Sequence, residues 1–288
     1  MYATFVVPAP RGCNLNCPYC AVALRNEAHD INLDDSQYLL FLDGALQFPR
    51  LKKVAIVGYE PTLDESVELT LSLLLNAKLA GVETSMNTNG LNFPKHADRL
   101  ARVVDTVMIS LDSNQPQTND RMRGFKGTYV GTVAGIKKAI ECMGPHRVIV
   151  NTLLVPNKPE RIEGMSELLA SLGVTNWVIS PYIDFREGEL KPDIGFIHTT
   201  VQRLADKATL RGVAVRYADE FRVIGQIDEI SVYNFQLPGD DGDFVFRLAP
   251  NGTCSVGKQI LADSSSARVW DGSTDPWAFL QSLIPSPL

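Results

Sequence analysis

Six short segments rich in β-branched residues, at 3–8, 54–57, 83–86, 106–111, 147–155 and 177–182, alternate with longer segments whose apolar residues recur every three or four positions. No other feature constrains the fold as strongly. The helical segments fall at 34–48, 62–80, 95–103, 129–143 and 159–172, with another at 197–211 after the sixth strand. Asp34 and Thr128 stand where N-caps belong, Gly81, Gly144 and Gly173 where helices stop, and Pro49 and Pro156 close their segments. Strands separated by helices lie parallel, joined by right-handed crossovers. The expected fold is therefore α/β, an open or partial (β/α)6 barrel over residues 1–215. Residues 216–288 lose the strand–helix period and form a small C-terminal extension. A β-hairpin is expected there, where 244–249 runs into Pro250-Asn251-Gly252-Thr253-Cys254 and Asn-Gly supplies the turn.

With 288 residues, 45% of them hydrophobic and 21% charged, the chain has enough apolar material for a full core. It carries no run of about eighteen apolar residues and its first residues have no basic region, so no membrane span or secretory signal is expected. A cytoplasmic protein follows. A net charge of −6 argues against a nucleic-acid partner and is compatible with a small cationic substrate. Five cysteines, three of them crowded into one loop, do not make a secreted disulfide framework.

Parallel barrels gather their chemistry at the C-terminal ends of the strands. Directly after the first strand comes Cys13-Asn14-Leu15-Asn16-Cys17-Pro18-Tyr19-Cys20, three thiols within eight residues. Thiolates are the preferred ligands of iron–sulfur clusters, and a four-iron cubane held by three cysteines keeps one iron open to a small-molecule ligand. A zinc knuckle is the competing reading; it wants a fourth Cys or His close by, and His29 is poorly placed for that. Buried structural thiols are a third reading, although they do not explain three in one loop.

The spacing Cys-x3-Cys-x2-Cys, with Tyr19 just before the last cysteine, resembles the signature of the radical S-adenosylmethionine (SAM) superfamily. The resemblance extends over about residues 2–215 and implies a [4Fe-4S] cluster on Cys13, Cys17 and Cys20, SAM on the open iron, and an external electron donor such as flavodoxin or ferredoxin. Gly58-Tyr59-Glu60-Pro61, after the second strand, resembles the family's Gly-Gly-Glu-Pro edge, whose backbone groups meet the SAM ammonium. A side chain at position 59 leaves that backbone acceptor usable if φ stays negative. Asn87 after the third strand and Ser110 and Asp112 after the fourth lie in segments resembling family segments, implying contacts to the SAM ribose or carboxylate; Arg123, or else Arg121, would pair with that carboxylate. Asn151 and Tyr182 sit where adenine or ribose contacts are expected, while Asn89-Gly90 reads equally well as a turn.

The extension resembles the hairpin that opens the auxiliary-cluster domains of peptide-modifying members, without their further cysteines, so a single cluster is expected and the extension is substrate-covering or vestigial. Cys142 reads as a small buried hydrophobe. Cys254 is the candidate catalytic thiol, a hydrogen donor to a substrate radical on the face opposite the adenosyl group; a buried hairpin cysteine is the other reading. Asp184 and the acidic loop containing Asp240 and Asp241 are candidate substrate contacts, which would suit a cationic ligand. This plan is similar to that of radical SAM epimerases of aminoglycosides, a route to antibiotic biosynthesis. Peptide modification and small-molecule dehydrogenation are the alternatives.

Overall fold

All six sequence-predicted strands form, at nearly the expected places, in the computed structural model. It describes residues 3–7, 12–20, 33–155, 158, 161–181, 194–218, 232–233, 244–249, 252–257 and 268–283. The strands are β1 (Ala3–Val7), β2 (Leu51–Ile56), β3 (Glu83–Thr88), β4 (Thr106–Ser110), β5 (Val148–Leu154) and β6 (Asn176–Pro181), followed by β7 (Ala214–Ala218), β8 (Val232–Tyr233), β9 (Phe244–Leu248), β10 (Thr253–Gly257) and β11 (Arg268–Val269). The helices are α1 (Asp35–Leu46), α2 (Val67–Leu79), α3 (Phe93–Val103), α4 (Pro116–Arg123), α5 (Thr128–Met143), α6 (Met165–Ser171), α7 (Ile194–Thr209) and α8 (Pro276–Leu283). Among the described residues one sheet runs β11-β10-β9-β1-β2-β3-β4-β5-β6-β7-β8, and β9 through β1 to β8 are mutually parallel. The fold is the mostly parallel α/β partial barrel that the strand–helix period predicts.

Local chemistry explains most boundaries. Asp34 caps α1 in a reciprocal box: its carboxylate accepts from the Gln37 N–H at 2.9 Å, and the Gln37 side chain accepts from the Asp34 N–H at 2.9 Å. Thr128, expected as an N-cap, lies inside α5 instead. Gly127 is the cap residue, and Asp120 of α4 reaches across to accept from the Gly127 and Tyr129 N–H groups at 2.6 and 2.8 Å. Sequence periodicity missed α4 because Pro-Gln-Thr-Asn-Asp-Arg-Met-Arg has almost no apolar residues; a proline in its first turn and the left-handed Gly124 at its end delimit it.

Strand register assigns each side chain to one of two faces. Phe5, opposite Val54 and Phe246, stacks on Phe41 of α1 at 5.6 Å, so this row faces the helices. On the other face, Asn87 is opposite Met108, Met108 opposite Ile149, Ser110 opposite Asn151, and Asn151 opposite Val178. Met108, Ile149 and Val178 form a small apolar cluster there with Val57, apart from the main core.

The expected hairpin is β9–β10, antiparallel, with β9 docked parallel to β1. The extension therefore continues the sheet beyond its first strand, and the boundary expected at 215 falls inside β7. Aromatic packing fixes it there. Phe41 meets Trp270 at 5.0 Å and Phe279 of α8 at 6.3 Å, and Phe48 meets Phe246 at 5.6 Å. Among the described residues no helix is long and apolar enough to cross a membrane.

Candidate functional site

The cysteine loop sits at the C-terminal end of β1, held from three sides by the loops that follow β2, β3 and β4. On the first side, the Glu60 N–H donates to the Gly12 carbonyl at 2.9 Å. The Glu60 side chain, in the segment expected to meet SAM through its backbone, is fully buried and committed inside the protein. One carboxylate oxygen accepts from the Thr62 N–H (3.0 Å), the Thr62 hydroxyl (2.5 Å) and the Thr88 hydroxyl (2.7 Å), while the other accepts from the Asn89 N–H (2.7 Å). Burial pushes its carboxyl above the ordinary range and these donors pull it back. Glu60 thus locks the β2 loop to the β3 loop, and any cofactor contact from this edge comes from the backbone of Gly58 and Tyr59.

That backbone is unusual. Gly58 has φ +80° and Tyr59 has φ +47°, so the condition of a negative φ at 59 is not met; the tyrosine instead takes the left-handed backbone path that a glycine there would take, which keeps the edge's carbonyls where a glycine would put them. A non-glycine residue there costs about 1–2 kcal/mol, which the surrounding structure must offset. The Tyr59 ring contributes by packing against the main core.

On the second side, Asn89 clamps the start of the cysteine loop. Its side-chain NH₂ donates to the Asn14 side-chain oxygen at 2.7 Å and lies 4.0 Å from the Cys13 sulfur, while its backbone carbonyl accepts from the Thr132 hydroxyl at 2.8 Å. Asn89-Gly90 does turn, with Gly90 at φ +84°, and the turn aims the asparagine at the loop. The sequence held one signal of this, an Asn-Gly turn at a strand's C-terminal end.

On the third side stand α4 and the end of β4. A Cβ on Gly124 would sit 2.1 Å from the Asn16 carbonyl oxygen, and the Arg123 carbonyl accepts from the Cys17 thiol at 3.5 Å. Asp112 and Arg123, expected to touch SAM, instead meet each other and Tyr19. The Tyr19 hydroxyl donates to Asp112; the Arg123 guanidinium donates to the Tyr19 hydroxyl at 2.8 Å and reaches the same Asp112 oxygen at 3.4 Å. Asp112 and Arg123 are buried, and burial pushes the Tyr19 phenol well above its ordinary value. Asn119, which sequence reasoning missed, accepts from the Asp112 N–H at 2.9 Å through its side chain.

The three cysteines fit an iron–sulfur cluster. Cys13 is exposed and Cys17 and Cys20 are half-buried. The Leu15 N–H points at the Cys13 sulfur at 3.4 Å, a donor suited to a ligating thiolate. Desolvation raises the Cys13 and Cys17 thiols, opposed at Cys17 by the Arg123 charge. Among the described residues no three Cys, His, Asp or Glu side chains converge on a point that would suit one metal ion.

Asn87, Ser110 and Asn151 share the helix-free face, in strands that end at this loop. The Asn87 side-chain oxygen is buried without a partner, as is the Ser85 hydroxyl two residues earlier on the same face, and the Asn151 oxygen accepts from Ser180 at 2.7 Å. Tyr182, Asp184, Asp240 and Asp241 lie outside the described residues.

Cys254 is placed against its expected role. It is opposite Leu248, in the row that continues through Phe246 and Phe5 toward α1, and so faces the helices rather than the site. It is fully buried in the main apolar core, and burial pushes its thiol far up. Cys142, read as buried, is half-buried at the end of α5, with its thiol 3.5 Å from an Asp98 oxygen.

Comparison with known proteins adds a family match: the model described as Radical SAM superfamily matches residues 7–169. A probable GTP 3',8-cyclase of Methanococcus maripaludis is 32% identical over 130 residues, covering 45% of this chain and 41% of that protein. A PqqA peptide cyclase of Ruegeria pomeroyi is 28% identical over 179 residues, covering 58% and 46% respectively. The chain thus spans less than half of each of these two relatives. The structure of Streptococcus suis SuiB bound to S-adenosylmethionine superposes with a TM-score of 0.70 at 16% identity, covering 96% of this chain and 65% of that one. At that identity the likeness is one of fold.

Proposed function

The chain belongs to the radical SAM superfamily, and on that premise we propose that it removes a hydrogen atom from a polar substrate seated on the helix-free face of the sheet. Its cofactors are a [4Fe-4S] cluster and SAM. One observation carries the proposal: Cys13, Cys17 and Cys20 stand on one loop that Glu60, Asn89 and Gly124 hold in place beside that face.

When bound, the two cofactors supply one-electron cleavage of SAM to methionine and a 5'-deoxyadenosyl radical. The protein's own work is placement. The Gly58–Tyr59 backbone offers acceptors toward the SAM ammonium, Ser110 and Asn151 offer polar groups toward its ribose, and Tyr182 belongs to the same set. Ser85 and Asn87, with buried polar atoms lacking protein partners, supply hydrogen bonds a ligand can complete. Met108, Ile149, Val178 and Val57 form a dry wall that limits water. Asp184, Asp240 and Asp241 stand as proposed substrate contacts, and an external donor such as flavodoxin or ferredoxin supplies the electron in the cytoplasm.

Epimerisation with Cys254 as hydrogen donor loses its support, because that thiol lies on the helix side of the sheet. A second reading, modification of a peptide, is favoured by the PqqA peptide cyclase relative.

Anaerobic reconstitution with iron and sulfide, then SAM and a strong reductant, tests the reading. Native protein is expected to bind about four irons and release 5'-deoxyadenosine. The Cys13/Cys17/Cys20 triple alanine variant should do neither. Native protein that takes up one zinc and leaves SAM intact would overturn the proposal.

A further inference from the structure

The Arg123–Asp112–Tyr19 group is built at high cost for something other than holding helices together. Arg123 and Asp112 expose only 9% and 1% of their side chains. A buried ion pair seldom stabilises a protein more than apolar residues of the same volume would. Asp112 is fixed rigidly. Its second carboxylate oxygen accepts from the Leu153 N–H of β5 at 3.1 Å, and its own N–H is held by Asn119. The guanidinium is pinned between Asp112 and Tyr19, and its Nε is buried without a partner.

The group's location suggests what it does. Tyr19 lies between Cys17 and Cys20 in the loop itself. The Arg123 carbonyl meets the Cys17 thiol, and the adjacent Gly124 abuts the Asn16 carbonyl. The permanently charged guanidinium is buried on Tyr19, between two of the proposed ligands, and its charge acts on the Cys17 sulfur, with one carboxylate partly offsetting it. Cluster reduction potentials follow net charge, hydrogen bonding and burial around the sulfurs. Reduction adds one negative charge, and a cation held at short range in a poorly screened interior makes that addition easier.

We propose that Arg123, oriented by Asp112 and Tyr19, is a positioning residue that sets the reduction potential of the cluster on Cys13, Cys17 and Cys20. Arg123 raises the potential toward the reach of a cellular one-electron donor. Asp112 sets how far. The inference rests on the reading of those cysteines as cluster ligands.

The test is a redox titration followed by electron paramagnetic resonance on reconstituted protein without SAM, with iron and sulfide counted for every sample. Asp112→Asn keeps the side chain's shape and removes the offsetting charge. It is expected to raise the ratio of reduced to oxidised cluster about tenfold at fixed solution potential, a shift of about 59 mV. Arg123→Met is expected to lower that ratio about tenfold. Arg123→Lys, which keeps the charge but loses the planar fork, should stay within about threefold of native protein. Asp112→Asn and Arg123→Met variants that load a full cluster and titrate with the native protein would overturn the proposal. If Arg123→Met does not fold or load, Asp112→Asn alone decides by that criterion. Failure of the native protein to bind a cluster would instead defeat the ligand assignment, and the iron count separates the two failures.

Discussion

The loop at 12–20 and the hairpin at 244–257 flank the same first strand, each carries cysteine, and they are built from opposite materials. Around Cys13 and Cys17 the neighbours are Glu60, Asn89, Asp112, Arg123 and backbone carbonyls, a set of polar groups mostly satisfied by one another. Cys254 is opposite Leu248 and belongs to the same apolar core as Phe246, Phe41 and Trp270. The same side chain is a proposed ligand in one place and packing in the other. Sheet register decides which. Cys254 shares its row with Phe5, which faces α1, while the cysteine loop emerges at the strand end, where both faces of the sheet are reachable.

The sharpest break in that comparison is to remove thiols from each region in turn. The triple alanine variant in the loop should lose all iron and all SAM cleavage yet keep its fold, read by iron analysis and circular dichroism. Glu60→Ala is expected to come next. It strands the buried Thr62, Thr88 and Asn89 donors and should cost about 3 kcal/mol in denaturant unfolding, with iron content falling alongside. A fully loaded, equally stable variant would show that the loop does not depend on this carboxylate.

Two glycines close together in sequence sharpen the point. Gly124→Ala forces a Cβ against the Asn16 carbonyl as well as an unfavourable φ of +70°, so about 2 kcal/mol and several-fold lower iron loading are expected. Gly127→Ala meets nothing within 4 Å and carries only the φ of +89°; about 1 kcal/mol and normal loading should follow. Equal loading in the two variants would mean that the contact between α4 and the loop does not matter. The smallest effect belongs to Cys254→Ala, about 1 kcal/mol of lost packing with 5'-deoxyadenosine formation unchanged. A large loss of turnover with intact stability would restore that thiol to the chemistry.

The sequence alone determined the parallel α/β architecture, because strand and helix periods are local properties that alternate plainly along 1–215. It pointed to the cysteine loop too, since three thiols in eight residues have few other uses, and to the hairpin, through its Asn-Gly turn. It missed α4, β8 and β11, which carry too little periodic signal to register, and also β7 and α8, which lie where the strand–helix period of 1–215 ends and no neighbouring element announces them. The tertiary structure decided how the site residues divide between binding and bracing. Glu60, Asp112 and Arg123 carry charges that a sequence reader aims at a cofactor, but each is buried and turned toward another part of the chain. Asn89 and Asn119 drew no attention as site residues and hold the loop and its support. Whether a polar side chain meets a ligand or a neighbour depends on which loops fold together, and pairs separated by 29, 75 or 104 residues are set by the closing of the sheet. The same holds for Cys254, whose facing follows from a register with β9 and β1 that no local stretch of sequence encodes.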